Sequence, residues 1–144
     1  YTYTFPIIRL ADIYLMYAEA LNQVKDTPDD EVYEYIQKVR TKDGLDKETG
    51  SLVETWARYS KNPDKPKTKA GMTEIIQRER LIEFLFEGWT YHDIRRWMLG
   101  PEYLGTPIQG WSVLESESEF YYERRTIFNR TFMPRDYLCT FVHC

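Results

Sequence analysis

The sequence predicts a mainly α-helical domain, and three observations predict it. Apolar residues recur at three- and four-residue steps between Arg9 and Lys25, which is the helical period. The stretch from Thr73 to Glu87 contains no Pro and no Gly and is rich in Ile, Leu, Arg and Glu, which are strong helix formers or fit a helical core. Strand-like texture is confined to the residues beyond Gly100, after a run of turn signals.

Each element follows in order. Leu10, Ile13, Tyr14, Tyr17, Leu21 and Val24 mark the expected buried stripe of a first helix over Arg9–Lys25. Pro6 precedes it, where proline is harmless. A second helix starts at Thr27 as N-cap, with Pro28 at the first helical position and Asp30 completing a short capping box. Val32, Ile36 and Val39 form its apolar stripe, and Gly44 is its stop. The two make a helical hairpin over residues 5–44. Residues 45–71 read as a loop excursion, with Trp56 and Tyr59 on a short helical turn. Residues 72–99 hold the helix ending near Glu87 and another from Trp89 to Leu99, closed by Gly100-Pro101. Residues 100–144 are expected to be irregular with one short hairpin.

Composition narrows the function. The length of 144 residues is about that of one domain. Hydrophobic residues make up 42% and charged residues 29%, enough for a core. No run reaches the roughly 18 to 20 apolar residues that span a bilayer, and mean hydropathy is −0.59. Formal charge is −4, from 19 basic and 23 acidic side chains. Such a balance disfavours a nucleic-acid partner. Aromatics are the unusual component: 4 Trp, 12 Tyr and 7 Phe, or 16%. Tyr and Trp suit cores, interfaces and sugar platforms alike.

The ends carry little chemistry. The sequence starts at Tyr1 with no visible signal peptide, as expected of a fragment or processed chain. Cys139 and Cys144 both fall in the last six positions, which is neither a disulfide framework nor a metal spacing.

The densest charged constellation is Arg78, Glu79, Arg80, Glu83 and Glu87, followed by His92, Asp93, Arg95 and Arg96. Glu79, Glu83 and Glu87 recur every fourth residue and would share a helix face. Arg95 and Arg96 are the expected local partners, since a guanidinium fits a carboxylate as a planar fork. This favours structural ion pairs over acid–base or metal chemistry. The Glu-x-x-His spacing of di-iron bundles is absent, and no HExxH, GxSxG, GxGxxG or phosphate-binding loop occurs. Asp43, Asp46 and Glu48 approach a calcium loop, but Gly44 and Leu45 break its alternation. Asn129-Arg130-Thr131 is a glycosylation acceptor only in a eukaryotic secretory pathway. No catalytic residue, metal or cofactor is expected.

Two motifs carry a family resemblance. One runs from Phe5 through Pro-Ile-Ile-Arg-Leu-Ala-Asp-Ile-Tyr-Leu-Met-Tyr-Ala-Glu-Ala-Leu to Asn22. The other is Gln77-Arg-Glu-Arg-Leu-Ile-Glu-Phe-Leu-Phe-Glu-Gly-Trp-Thr-Tyr-His-Asp-Ile-Arg-Arg-Trp97. In this order they resemble the C-terminal region of SusD/RagB-type proteins, over roughly residues 5 to 138. The resemblance implies a mainly α fold with a tetratricopeptide-like helix pair and an irregular C-terminal portion. It implies a non-catalytic, surface-exposed lipoprotein of the bacterial outer membrane in Bacteroidetes-type organisms. Such a protein binds a glycan or other nutrient over a SusC-type TonB-dependent transporter, and its lipid anchor would lie outside this chain. Family members are longer, so the chain is expected to be a piece of a larger domain. The tail Cys139-Thr-Phe-Val-His-Cys144 departs from the family's Pro-rich closing stretch.

Within that implication, Glu79, Glu83, Arg95 and Arg96 are expected as internal ion pairs. The ligand-binding candidates are aromatics on irregular segments: Trp56, Tyr59, Trp111, Tyr121 and Tyr122. Tyr14, Tyr17 and Trp89 are assigned to the core. The alternative is a helical-repeat protein–protein interaction module, whose aromatics would serve a protein interface.

Overall fold

The computed structural model describes residues 8–111 and 123–138. The chain divides into two units, Tyr1–Glu87 and Gly88–Cys144. In the first, helix α1 spans Leu10–Val24 and α2 spans Asp30–Lys42. Ring contacts of Tyr14 and Tyr17 with Tyr35, and a hydrogen bond from the Tyr17 hydroxyl to Glu31, show that α2 returns antiparallel along α1.

The N-cap of α2 is Asp29, not Thr27. The Asp29 carboxylate accepts the Val32 N–H at 3.3 Å and also meets the Lys25 ammonium at 2.5 Å. An ionised acceptor outcompetes a hydroxyl at the positive end of a helix. Pro28 therefore lies just outside the helix. At the other end Gly44 takes φ +89°, which lets the Leu45 N–H reach the Arg40 carbonyl at 3.0 Å. Val32, Ile36 and Val39 are buried as their spacing predicts.

Residues 45–71 are more ordered than a loop excursion. Helix α3 spans Leu52–Tyr59, capped by Ser51, whose hydroxyl accepts the Glu54 N–H. Ser51 and Glu54 are the missed start signal. A 3-10 turn follows at Lys65–Lys67, with Pro66 buried and its carbonyl accepting from the Tyr33 hydroxyl at 3.1 Å.

Helix α4 spans Lys69–Glu83, beginning and ending four residues before the expected bounds. Thr68 caps it by accepting the Gly71 N–H at 3.1 Å. Gly71 is not a turn residue: a Cβ there would lie 2.1 Å from the Lys65 carbonyl oxygen. Beyond α4 the chain leaves the helix through the buried Phe84, then Phe86 at φ +66° and Gly88 at φ +84°. Glu87 therefore does not extend the α4 face.

The core of this unit comprises Leu15, Ala18, Val32, Ile36, Val39, Leu52, Met72, Ile75, Ile76 and Phe84. Only two of the six residues of the expected α1 stripe face the core. Tyr14 and Leu21 are partly buried, but Leu10, Ile13, Tyr17 and Val24 are exposed, and Asp12, Leu15, Ala18 and Asn22 point inward. Polar partners decide the face. Asp12 pairs with Arg80, and the Asn22 amide donates to the Lys69 carbonyl and the Thr73 hydroxyl.

In the second unit, α5 spans Trp89–Arg96 and α6 spans Gly100–Tyr103. Gly100-Pro101 opens α6 rather than only closing the preceding helix, because proline's missing N–H costs nothing in a first turn. A Cβ at Gly100 would meet the Phe132 ring at 2.3 Å, so the glycine admits close packing. Trp89 is exposed, not core. Strands β1 (Ile108–Trp111) and β2 (Arg124–Phe128) pair antiparallel, giving the one expected hairpin. No helix among the described residues is long and apolar enough to cross a membrane.

Burial predicts the response to truncation. Ile36→Ala, at a fully buried site, is expected to lower unfolding stability by about 2–5 kcal/mol. Val24→Ser, at a site 85% exposed, is expected to change it by less than about 0.5 kcal/mol. Urea midpoints of the two variants check this.

Candidate functional site

The charged constellation is built into the packing of the first unit. Arg40 is its centre. Its Nε donates to Asp46 Oδ2 at 2.6 Å, its Nη2 to Asp46 Oδ1 at 2.9 Å, and its Nη1 to Glu79 Oε1. Arg80 Nη1 meets Asp12 Oδ1 at 2.8 Å, both side chains nearly inaccessible. Arg9 Nη1 donates to Glu83 Oε1 and Nη2 to the Glu83 carbonyl, each at 2.8 Å, while Nε reaches Glu87 at 3.1 Å. The Arg9 and Arg80 guanidinium carbons lie 4.9 and 5.1 Å from the Phe84 ring centre.

The expected partners of these carboxylates are corrected. Glu79 meets Arg40 and Glu83 meets Arg9, from 39 and 74 residues away. Arg95 instead donates to the carbonyl oxygens of Asp136, at 2.6 Å, and Tyr137. Arg96 pairs with Asp93 at 2.7 Å. Closeness in sequence misled because α4 stops at Glu83 and because the helix pair supplies the cations. Arg9, Arg40 and Asp12 lacked any local signal. Asp46, noted only as a failed calcium ligand, sits at φ +59° and faces back to Arg40.

Electrostatics follow from the geometry. Burial pushes the Asp46 carboxyl up, but the Arg40 fork and the Thr55 hydroxyl outweigh it and hold it below the usual range. Burial raises Glu79, and the Arg40 charge only partly offsets it. Among the described residues no group of three or more His, Cys, Asp or Glu is placed to hold a metal.

The aromatic candidates separate. Trp56 is partly buried against the core, with the Lys65 ammonium 5.7 Å from its ring centre. Tyr59, at the end of α3, is 65% exposed. A groove of about 550 Å³ between α2 and α3, lined by Asp30, Tyr33, Gln37 and Glu54 among others, holds neither. Tyr121 and Tyr122 lie outside the described residues.

Trp111 stands on the hairpin, 58% exposed. The ladder pairs Trp111 with Arg124, Gly110 with Arg125 and Gln109 with Thr126, then shifts so that Ile108 meets Phe128. This bulge leaves Ile127 unpaired. Ile127 packs over Gly110, where a Cβ would meet its Cδ1 at 2.4 Å. Paired residues share a face, so Ile108, Gly110, Arg125, Ile127 and Phe128 take one side. Gln109, Trp111, Arg124 and Thr126 take the other. The Arg124 guanidinium carbon lies 5.6 Å from the Trp111 ring centre. Sequence reading singled out Trp111 as a candidate but not these neighbours, whose alternation Gln109/Trp111 and Arg124/Thr126 was the available signal.

Two predictions test the buried charges. Arg80→Met, which leaves Asp12 buried without its cation, should cost about 3–5 kcal/mol, and adding Asp12→Ala should recover most of it. A thermal double-mutant cycle reads both. Asp46→Asn should cost about 2 kcal/mol at neutral pH. Because Asp46 is held below its ordinary value, its contribution is present above about pH 4 and lost as pH falls through the folded value. The raised Glu79 has the opposite sign: its favourable share exists at low pH and is lost as pH rises through its folded value. Glu79→Gln should therefore cost less than Asp46→Asn at pH 7, and the gap should close toward pH 3, read by urea unfolding across pH.

Comparison with known proteins agrees with the geometry. The SusD family model matches residues 1–140. Among solved structures, the chain is similar to a SusD-like protein from Bacteroides fragilis NCTC 9343, with 29% identity and a TM-score of 0.63. The match covers 96% of this chain and 24% of that protein, so the chain spans about a quarter of its length. No curated protein matches. The mainly helical architecture, the two sequence motifs and the family match agree: the chain belongs to the SusD family.

Proposed function

We propose that this chain is part of a non-catalytic, surface-exposed glycan-binding protein that serves a SusC-type TonB-dependent transporter at the bacterial outer membrane. Membership in the SusD family, over residues 1–140, is the observation that carries the reading. The engagement of Glu79 and Glu83 by guanidinium groups supports binding over hydrolysis, since neither is left as an acid–base pair across a cleft. Trp111 is the platform the geometry favours. Its indole is exposed on a hairpin face that also carries an amide, a hydroxyl and a guanidinium. A flat apolar ring beside hydrogen-bonding groups is what a sugar's apolar face and rim hydroxyls require. Tyr59 is a secondary contact, and Trp56 belongs to the core.

A polysaccharide panel tested by affinity electrophoresis examines this. At least one glycan should be retarded by the chain and recovered unshortened. Trp111→Ala should weaken that binding by roughly tenfold or more without changing thermal stability. Retardation of no glycan, or release of shorter products, would contradict the reading.

A further inference from the structure

We propose that the Trp111 face of the hairpin is a subsite for an acidic sugar, with Trp111 as stacking surface and Arg124 as the group that recognises the sugar carboxylate. The proposal rests on the glycan-binding reading above and specifies its ligand.

The bulge is what separates two kinds of surface on this ribbon. It collects Ile108, Ile127 and Phe128 on the Gly110 side. That side holds the aliphatic residues and the phenyl ring of the hairpin, which are 42%, 70% and 62% exposed for Ile108, Ile127 and Phe128. The Trp111 indole stands on the opposite side, 58% exposed. Its neighbours there are Gln109 and Thr126, directly opposite one another, and Arg124, directly opposite Trp111. Cross-strand neighbours sit about 5 Å apart, so the four side chains converge on an area about one or two sugar rings wide.

Charge then selects the ligand. Arg124 is the one formal charge among Gln109, Trp111, Arg124 and Thr126. Arg125 projects from the other face and meets Glu123 at 3.8 Å. A neutral sugar over the indole would use the Gln109 amide and the Thr126 hydroxyl and leave the guanidinium facing water. A hexuronate would add a planar fork between its carboxylate and Arg124, the geometry guanidinium groups serve best. The contact between Arg124 and the Trp111 ring holds the cation beside the stacking position.

The test uses one glycan backbone with and without its charge: an oligogalacturonide and its fully methyl-esterified form, titrated into the chain by calorimetry. The acid form should bind at least about tenfold more tightly than the ester. That preference should shrink in high salt. Arg124→Gln should weaken the acid form far more than the ester and so remove the preference, whereas Trp111→Ala should weaken both forms. Arg125→Gln, on the opposite face, should change neither. Equal binding of acid and ester, or equal weakening of both by Arg124→Gln, would overturn the proposal. If neutral glycans of the panel bind through Trp111 while the oligogalacturonide does not, the acidic specificity is wrong and the glycan-binding reading stands. If nothing binds, both fall.

Discussion

Buried guanidinium–carboxylate pairs govern the architecture of the first unit. Arg40 gathers Asp46 and Glu79, and Arg80 holds Asp12, all with little access to water. Pairs of this kind are not strongly favourable relative to well-packed apolar residues, yet breaking one leaves an uncompensated charge in a poor dielectric. They therefore act as constraints on register. Asp12 must face α4, so α1 can rotate only one way. Asn22, two to three turns later, repeats the constraint through the Lys69 carbonyl and the Thr73 hydroxyl. The loop after α2 must fold back to bring Asp46 to Arg40, and the positive φ at Asp46 is part of that return. Even Phe84, the large ring that ends α4, is enclosed by Arg9 and Arg80.

This explains which parts of the fold were legible. Helix α2 has apolar residues on one side and charges on the other, so its stripe of Val32, Ile36 and Val39 could be read directly. Helix α1 is apolar on several sides. Periodicity alone pointed to Leu10, Ile13 and Val24, but burial followed the polar partners of Asp12 and Asn22 instead. Those partners sit on α4, far along the chain, and no local pattern announces them. Helix α3 was legible in principle through Ser51 and Glu54, but the surrounding glycines and prolines masked it. Glu79 and Glu83 pair with Arg40 and Arg9 rather than with the nearby Arg95 and Arg96, because sequence distance is a poor guide to a helical hairpin.

The site shows the same limit in a different form. Exposure of Trp111 was foreseeable from its place among turn signals, while its neighbourhood was not. A one-residue bulge decides that Phe128 joins Ile108 rather than the Trp111 side. Register of this sort is set by pairing geometry rather than by composition. The 16% aromatic content thereby divides into roles. Tyr14, Tyr35 and Trp56 pack, Tyr17 rests on Tyr35 at the surface, and Trp111 is exposed on the hairpin beside Arg124.

The most direct measurement of this account is the response of the tryptophan indole N–H resonances to a bound glycan. The chain has 4 Trp, so the spectrum carries four such signals. Titration with a glycan that the chain retains should shift the Trp111 signal progressively while Trp56 stays fixed. A shift confined to Trp56, or binding that moves none of the four, would contradict the assignment of the hairpin as the sugar platform.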